Sequence, residues 1–150
     1  MYFRPLLLSD YYFDFLKLNN ILSKLPNWRS NYLEFKESWF SMVQNPNHQI
    51  FLLIGDNNKI IGTGTIVLEK KMIHNAYCAH LENIIVLPEY QNLGYGKKIL
   101  NYLENYAKQR DCYKIILNCI PELKNYYMKS GFQNSNKNIQ MEKKIKKNIS

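Results

Sequence analysis

The stretch Gln91-Asn92-Leu93-Gly94-Tyr95-Gly96-Lys97, here called the glycine loop, decides the fold class because it separates a strand pattern from a helix pattern. The apolar run 84–87 precedes it, and apolar residues at helical spacing follow it: Ile99, Leu100, Leu103 and Ala107. Glycine allows a sharp bend or the close approach of a ligand, and the first amides of a helix have no internal partners. The glycine loop therefore predicts a strand-to-helix turn whose N–H groups, with the charge of Lys97, suit a phosphate or pyrophosphate.

Two glycines before a helix are also compatible with an ordinary turn, so the loop needs support from the rest of the chain. It is not a Walker P-loop, because no Gly-Lys-Ser/Thr ends it. It also lacks the third glycine of a dinucleotide-binding turn and comes late in the chain.

The composition is that of a globular protein, with 46% hydrophobic and 14% aromatic residues in 150 residues. We expect one domain spanning residues 1–150. Lys and Arg number 20 against 12 acidic residues, giving a net charge of +8. An anionic partner fits this charge, but much of the excess lies in a tail that a solvated lysine-rich end explains equally well: Lys143, Lys144, Lys146 and Lys147.

Cysteine usage and hydropathy give expectations about compartment. The three cysteines form no Cys-x-x-Cys pair, which predicts reduced thiols in a cytoplasmic protein with neither a metal site nor disulfides. The N-terminus lacks a signal pattern, and no apolar run approaches the ~20 residues that span a bilayer. We expect no membrane partner.

The hydrophobic periodicity and the residues that end helices and strands predict the element order βααβββαβαβ, an α/β fold with a mixed sheet flanked by helices. Asp56-Asn57-Asn58 predicts a tight turn, and Gly62 and Gly64 predict a bulge or close approach within a strand. The second helix is expected to be apolar at Leu33, Trp39, Phe40 and Val43. The expected strands are 3–7, 50–54, 60–69, 80–87, 113–119 (buried and central) and 139–145. The expected helices are 11–25, 30–43, the helix after the glycine loop, and 121–129, which Gly131 closes. The segment 70–79 is expected to be irregular.

Two motifs resemble those of the GNAT acetyltransferase superfamily. The glycine loop resembles its acetyl-CoA loop, Gln/Arg-x-x-Gly-x-Gly/Ala, and the segment 127–132 resembles its Tyr-x-Lys-x-Gly-Phe ending. Within the superfamily the chain is most similar to the glucosamine-6-phosphate N-acetyltransferases, through segments at 4–6, 62–67, 71–74, 82–86 and 112–115.

The resemblance implies acetyl-CoA as cofactor and assigns residues to it. Ile84, Ile85 and Val86 would offer main-chain groups to pantetheine, which imitates a peptide strand. Residues of the glycine loop would hold the pyrophosphate: Gln91, Asn92, Leu93, Gly94, Tyr95, Gly96 and Lys97. Tyr127 would be the general acid towards the CoA thiolate, and Glu82, acting through a water, would be the base. No metal is implied.

The resemblance also places a sugar-phosphate site and reveals departures from the pattern. Substrate contacts are expected from Lys71, Met72, Ile73, His74, Asn83, Asn118 and Lys143. Asn83 and Asn118 stand where these enzymes commonly have a carboxylate, and asparagine can only hydrogen-bond. Lys143 stands where the family has an arginine that can reach a partner's phosphate site, so we expect a homodimer.

The expected function is therefore transfer of acetyl from acetyl-CoA to the 2-amino group of glucosamine 6-phosphate, in amino-sugar and UDP-GlcNAc biosynthesis. Direct attack in a ternary complex is favoured over an acyl-enzyme. One alternative is a GNAT enzyme acting on a peptide N-terminus, a lysine or a small amine. A second is a non-catalytic CoA-binding or nucleic-acid-binding module, although the aromatic residues that would stack on bases are not interleaved with the basic tail.

Overall fold

A computed structural model describes residues 1–12, 15, 17–18, 21, 31–135 and 139–145. The chain divides into two compact units, Met1–Leu117 and Asn118–Ser150. Each is described by itself, and the expectation of one domain stays a prediction.

A five-stranded mixed sheet forms the first unit, with the strands in the spatial order β1-β2-β3-β4-β5. The first four strands pair antiparallel, and β5 runs parallel to β4. The strands are β1 (Tyr2–Pro5), β2 (His48–Ile54), β3 (Ile60–Lys71), β4 (Ala76–Val86) and β5 (Cys112–Leu117). The predicted mixed-sheet α/β class is confirmed.

The long helix after the glycine loop covers one face of the sheet. The α-helices whose whole length lies within the described residues are α1 (Tyr32–Val43), α2 (Tyr95–Gln109) and α3 (Lys124–Lys129). A Cβ on Gly62 would lie 2.6 Å from the Ile85 carbonyl oxygen, and one on Gly64 would lie 2.8 Å from both Ile99 and Leu103 of α2. The predicted close approach at these glycines is confirmed, since α2 packs against the strand backbone.

The opposite face packs against α1 and the N-terminal segment. Phe35, Trp39 and Met42 of α1 face a core that includes Leu52 and Ile54 of β2, and Trp39 Nε1 donates to the Leu6 carbonyl at 3.0 Å. The predicted apolar positions of this helix were right at Trp39 and wrong at the other three, since Leu33, Phe40 and Val43 are exposed. The i, i+4, i+7 set that starts at Phe35 is the core-facing stripe.

An ion pair with a buried carboxylate connects the first strand to the segment after it. Arg4 donates to both carboxylate oxygens of Asp10 at 2.7 Å, and Asp10 is 1% exposed. A 3-10 turn, Leu8–Tyr12, holds Asp10 in place. Of the predicted helix 11–25, Phe15, Leu18 and Ile21 are helical, and the rest of its apolar face lies outside the described residues.

The predicted end of β3 at residue 69 and the predicted start of β4 at residue 80 need correction. Residues 70–79 are not irregular: β3 continues to Lys71, a short 3-10 turn covers Met72–His74, and β4 begins at Ala76. Asn75, at φ 45, turns the chain in the left-handed region that a short asparagine side chain tolerates. The Asp56–Asn58 turn is confirmed, with positive φ at Asn57 and Asn58.

The predicted environments of the last two strands were wrong. Among the described residues β5 pairs with β4 alone, so it is an edge strand and not a central one. In the second unit, a 3-10 turn at Pro121–Leu123 leads into α3, and Gly131 follows at φ 90, as predicted. The segment 139–145 is not a strand, and Ile139, Met141 and Ile145 are at least 85% exposed, because no strand within the described chain pairs with them.

Candidate active site

The end of β4 offers an unpaired main-chain edge. β4 pairs with β3 as far as Val86, but its pairing with β5 ends where Leu81 lies opposite Leu117. Residues 82–86 therefore have β3 on one side and, within the described chain, no strand on the other. An extended, peptide-like ligand can hydrogen-bond to such an edge without any particular side chain.

A bulge distorts β4 at the start of this edge. Thr63 lies opposite Ile85 and Thr65 opposite Glu82, so β4 uses one residue more than β3 over the same length. Asn83 takes up the extra length at φ 51. Bulges commonly redirect backbone groups beside functional sites, because the added residue leaves the ladder.

The glycine loop follows β4 directly and is fixed to its end. Gln91 Nε2 donates to the Val86 carbonyl at 3.0 Å, and Asn92 and Gly94 lie at φ 61 and φ 83. The first bond of α2 runs from Lys98 N to the Gly94 carbonyl at 3.1 Å. The amides of residues 95–97 therefore come before the helix ladder and have no intrahelical acceptor.

The loop and the unpaired edge together form a continuous main-chain surface within the first unit. Amides at the positive end of α2 suit an anion. The edge beside them suits a linear amide-containing chain. A ligand with a pyrophosphate at one end and a peptide-like arm at the other would match this arrangement.

The profile of the acetyltransferase (GNAT) family matches residues 11–132. The chain belongs to the GNAT acetyltransferase family. The fold agrees: a solved glucosamine-6-phosphate N-acetyltransferase from Arabidopsis thaliana superposes with a TM-score of 0.86 at 30% identity, covering 97% of this chain and 98% of that one.

Curated relatives of this GNAT chain carry the same enzyme name. Glucosamine 6-phosphate N-acetyltransferase 1 from Oryza sativa subsp. japonica is 31% identical over 141 residues, covering 92% of this chain and 83% of that protein. The Arabidopsis thaliana enzyme is 40% identical over 88 residues, and that match covers 58% of each protein. The enzyme from Candida albicans is 29% identical over 137 residues.

In this GNAT chain the predicted sugar-phosphate segment lies at the far end of β4 from the glycine loop. Met72 and Ile73, 86% and 95% exposed, form the hairpin tip, and the His74 ring contacts Tyr113 at 4.7 Å. At ~3.3 Å per residue, about 20 Å of strand separate Ala76 from Glu82. Within one chain, the structure does not bring residues 71–74 to the unpaired edge.

Lys71 also has a partner within its own strand. Its Nζ contacts Glu69 Oε1 at 2.5 Å, and the other oxygen of Glu69 lies 2.8 Å from His80 Nε2. The hydrogen bond to Glu69 raises the pKa of Lys71, and the bonds from Lys71 and His80 lower the pKa of Glu69. A phosphate at Lys71 would have to compete with this carboxylate.

Three of the predicted site residues, Asn118, Tyr127 and Lys143, belong to the second unit. Tyr127 lies on α3 and is half-buried, with ring centroids 5.1 Å from Tyr126 and 6.0 Å from Phe132. Burial raises the pKa of the Tyr127 hydroxyl, and Tyr126 and Cys119 raise it further. Tyr127 therefore keeps its proton at neutral pH, which a proton donor requires. Asn118 directly follows β5 in sequence, and it and Lys143 are exposed.

Sequence reasoning missed the pair formed by His80 and Glu69. Glu82, the predicted base, is exposed on β4, and His80 lies two residues earlier on the same face. In the sequence, the polar-apolar-polar alternation His80-Leu81-Glu82 already indicated that His80 and Glu82 share one face of a strand. The pairing of His80 with Glu69 required the register of β3 against β4, in which His80 lies opposite Val67.

The described residues contain neither a candidate metal site nor a membrane-spanning helix. In that part of the chain no group of three or more His, Cys, Asp or Glu side chains is placed to hold a metal ion. No helix there is long and apolar enough to cross a membrane. Cys78, Cys112 and Cys119 are free thiols.

Proposed function

We propose that the protein transfers acetyl from acetyl-CoA to the 2-amino group of glucosamine 6-phosphate. Membership of the GNAT family and the names of its relatives support this reaction. The structural observation that carries it is the unpaired edge of β4 ending in the glycine loop. The edge would take pantetheine, and the amides of residues 95–97 would take the pyrophosphate.

The reaction would proceed by direct attack in a ternary complex. The neutral amine nitrogen attacks the thioester carbonyl carbon, the C–N bond forms, and collapse of the tetrahedral intermediate breaks the C–S bond. Main-chain N–H groups at the bulge of β4 would stabilise the oxyanion, and Tyr127 would give its proton to the leaving thiolate. The proton lost by the amine would pass to an acceptor on the open face of β4, where Glu82 lies.

The sugar-phosphate contacts would be completed in a homodimer. A single chain holds Lys71 and His74 about 20 Å from the unpaired edge, counted at ~3.3 Å per residue of β4. A second copy could supply such a segment, or Lys143, to its partner's site. The exposed apolar tip, Met72 and Ile73, supports a contact surface there. Gel filtration with light scattering would test this, and a monomer at assay concentration would contradict it.

A thiol-release assay with acetyl-CoA and a panel of amines tests the substrate. We expect glucosamine 6-phosphate to be strongly preferred over glucosamine, because a dianion bound to lysine ammonium groups contributes roughly 1.5–3 kcal/mol per charge-assisted bond. Equal turnover of the two sugars would overturn the sugar-phosphate assignment. It would leave the acetyl-CoA assignment standing.

A second candidate is a GNAT enzyme for another amine. Two observations favour it: asparagine at positions 83 and 118, and the ion pair between Lys71 and Glu69. Peptide N-termini, lysine and small amines therefore belong in the same panel.

We place the enzyme in the cytoplasm, within amino-sugar synthesis leading to UDP-GlcNAc. Three free thiols fit a reducing compartment.

A further inference from the structure

The two faces of β4 differ in what can reach them. On one face Ala79 and Leu81 are 0% and 3% exposed, beneath α2. The other face carries His80, whose side chain is 31% exposed, and the exposed Glu82. Between residues 79 and 82, the exposed side chains of β4 are therefore those of His80 and Glu82, and an amine that approaches this length of β4 meets their face.

His80 is held in one orientation by a carboxylate. Its Nε2 lies 2.8 Å from Glu69 Oε2, while Lys71 holds the other oxygen of Glu69. Lys71 and His80 lower the pKa of Glu69, so this carboxylate is ionised at neutral pH and can only accept hydrogen bonds. Nε2 must then carry the hydrogen, which leaves the lone pair of a neutral ring on Nδ1.

His80 also lies where β4 and β5 separate. It is opposite Ile116 of β5, one residue before the last pair, Leu81 and Leu117. The titratable or charged groups on its face of the sheet come from all five strands: Tyr2 and Arg4 on β1, His48 on β2, Glu69 and Lys71 on β3, Cys78 and Glu82 on β4, and Lys114 on β5. Among them, Glu69 makes a hydrogen bond to the ring of His80.

We propose that His80 Nδ1 accepts the proton that the substrate amine loses on acetylation, and that Glu69 is a positioning residue that fixes the ring and its tautomer. This rests on the proposed acetyl transfer. As the C–N bond forms, the N–H bonding pair stays on nitrogen and the proton moves to Nδ1, giving an imidazolium paired with Glu69. The proton leaves to solvent after the product dissociates.

Imidazole suits this step better than an exposed carboxylate. A neutral imidazole nitrogen is intrinsically a stronger base than a carboxylate oxygen. General base catalysis is most effective when the base titrates near the working pH. Glu82 can instead orient the arriving ammonium group by its charge.

The test compares His80→Asn with His48→Asn, a matched control on the same face two strands away. We expect His80→Asn to lower kcat/KM by roughly a hundredfold or more and to remove its acid limb, with CoA affinity unchanged. His48→Asn should keep the wild-type value and profile. Circular dichroism and melting curves of both variants would confirm that they fold.

Two further variants separate catalysis from structure. Added imidazole should restore part of the activity of His80→Ala, which a structural role would not allow. Glu69→Gln should lower kcat/KM less than His80→Asn does and should move the acid limb to lower pH, because the neutral amide no longer stabilises the imidazolium by its charge. If His80→Asn fails to fold, these two measurements decide the matter.

Several outcomes would overturn the inference. One is a wild-type pH profile in His80→Asn, and another is loss of the acid limb in Glu82→Gln but not in His80→Asn. If wild type acetylates an amine other than the sugar phosphate, the proposed substrate fails and the His80 comparison is made with that amine. A wild type that acetylates no amine would end both proposals.

Discussion

Replacing Gly94 with alanine separates the cost of a backbone conformation from the loss of a ligand contact. Gly94 lies at φ 83, and a Cβ there would have no atom within 4 Å apart from those of its own residue and its two chain neighbours. The fold should therefore lose only the cost of a left-handed L-residue, about 1–2 kcal/mol. In a chain of this size, each lost kcal/mol lowers Tm by roughly 2–4 °C.

The open space at Gly94 is where the glycine loop would receive the CoA pyrophosphate. A methyl group there should prevent at least one charge-assisted bond from a main-chain amide, worth roughly 1.5–3 kcal/mol. The Kd for CoA should then rise roughly tenfold to a hundredfold. Calorimetric titration of CoA measures this directly.

Gly131 provides the matched control. It lies at φ 90, and a Cβ there would also have no atom within 4 Å apart from those of its own residue and its two chain neighbours. Gly131→Ala should lower Tm by a similar amount while the Kd for CoA stays at the wild-type value. Equal CoA affinity in the two variants, together with equal losses of Tm, would refute the placement of the pyrophosphate at the glycine loop.

Three other substitutions test separate parts of the site. Tyr127→Phe should lower kcat by roughly a hundredfold or more with CoA affinity unchanged, as steady-state kinetics and calorimetry would measure; an unchanged kcat would remove Tyr127 as the acid. Asn118→Asp should tighten sugar-phosphate binding with kcat changed less than about tenfold, because uniform binding does not lower the barrier; a much larger rise in kcat would place the base at position 118. Glu69 has a lowered pKa, so its contribution to stability is present above the ordinary carboxyl pKa and is lost on acidification. The difference in Tm between wild type and Glu69→Gln should therefore become smaller as the pH falls from about 7 to about 3. A difference that stays constant would contradict the ion pairs.

The first unit was largely predictable from sequence because its signals are local. The glycines of β3, the Asn-rich turn before it and the apolar stripe of α2 can each be recognised from a few neighbouring residues. The face of α1 was less predictable, because Leu33 and Phe40 are as apolar as the buried residues of that helix. Its orientation depends on Trp39 reaching the Leu6 carbonyl, a contact between residues 33 positions apart.

The candidate site likewise has features that short sequence motifs predict and features that depend on strand register. The glycine loop and Tyr127 are proposed from short motifs whose residues lie within a few positions of one another. The pairing of His80 with Glu69 joins two strands, and it depends on a register that no single segment encodes. Lys71 shows the converse: the motif identified the residue, but its ion pair with Glu69 appears only when β3 is built.

Alternating apolar residues specify which side chains would face a neighbouring surface, but they do not specify where a partner strand comes from. Residues 139–145 have that alternation and are exposed without pairing, while β5 keeps one edge without a strand among the described residues. A strand forms when its backbone groups find partners, since unpaired edges are exposed hydrogen-bonding groups. The prediction of a strand at 139–145 failed for one chain for that reason. In the proposed homodimer, a second copy is the natural source of the missing partner.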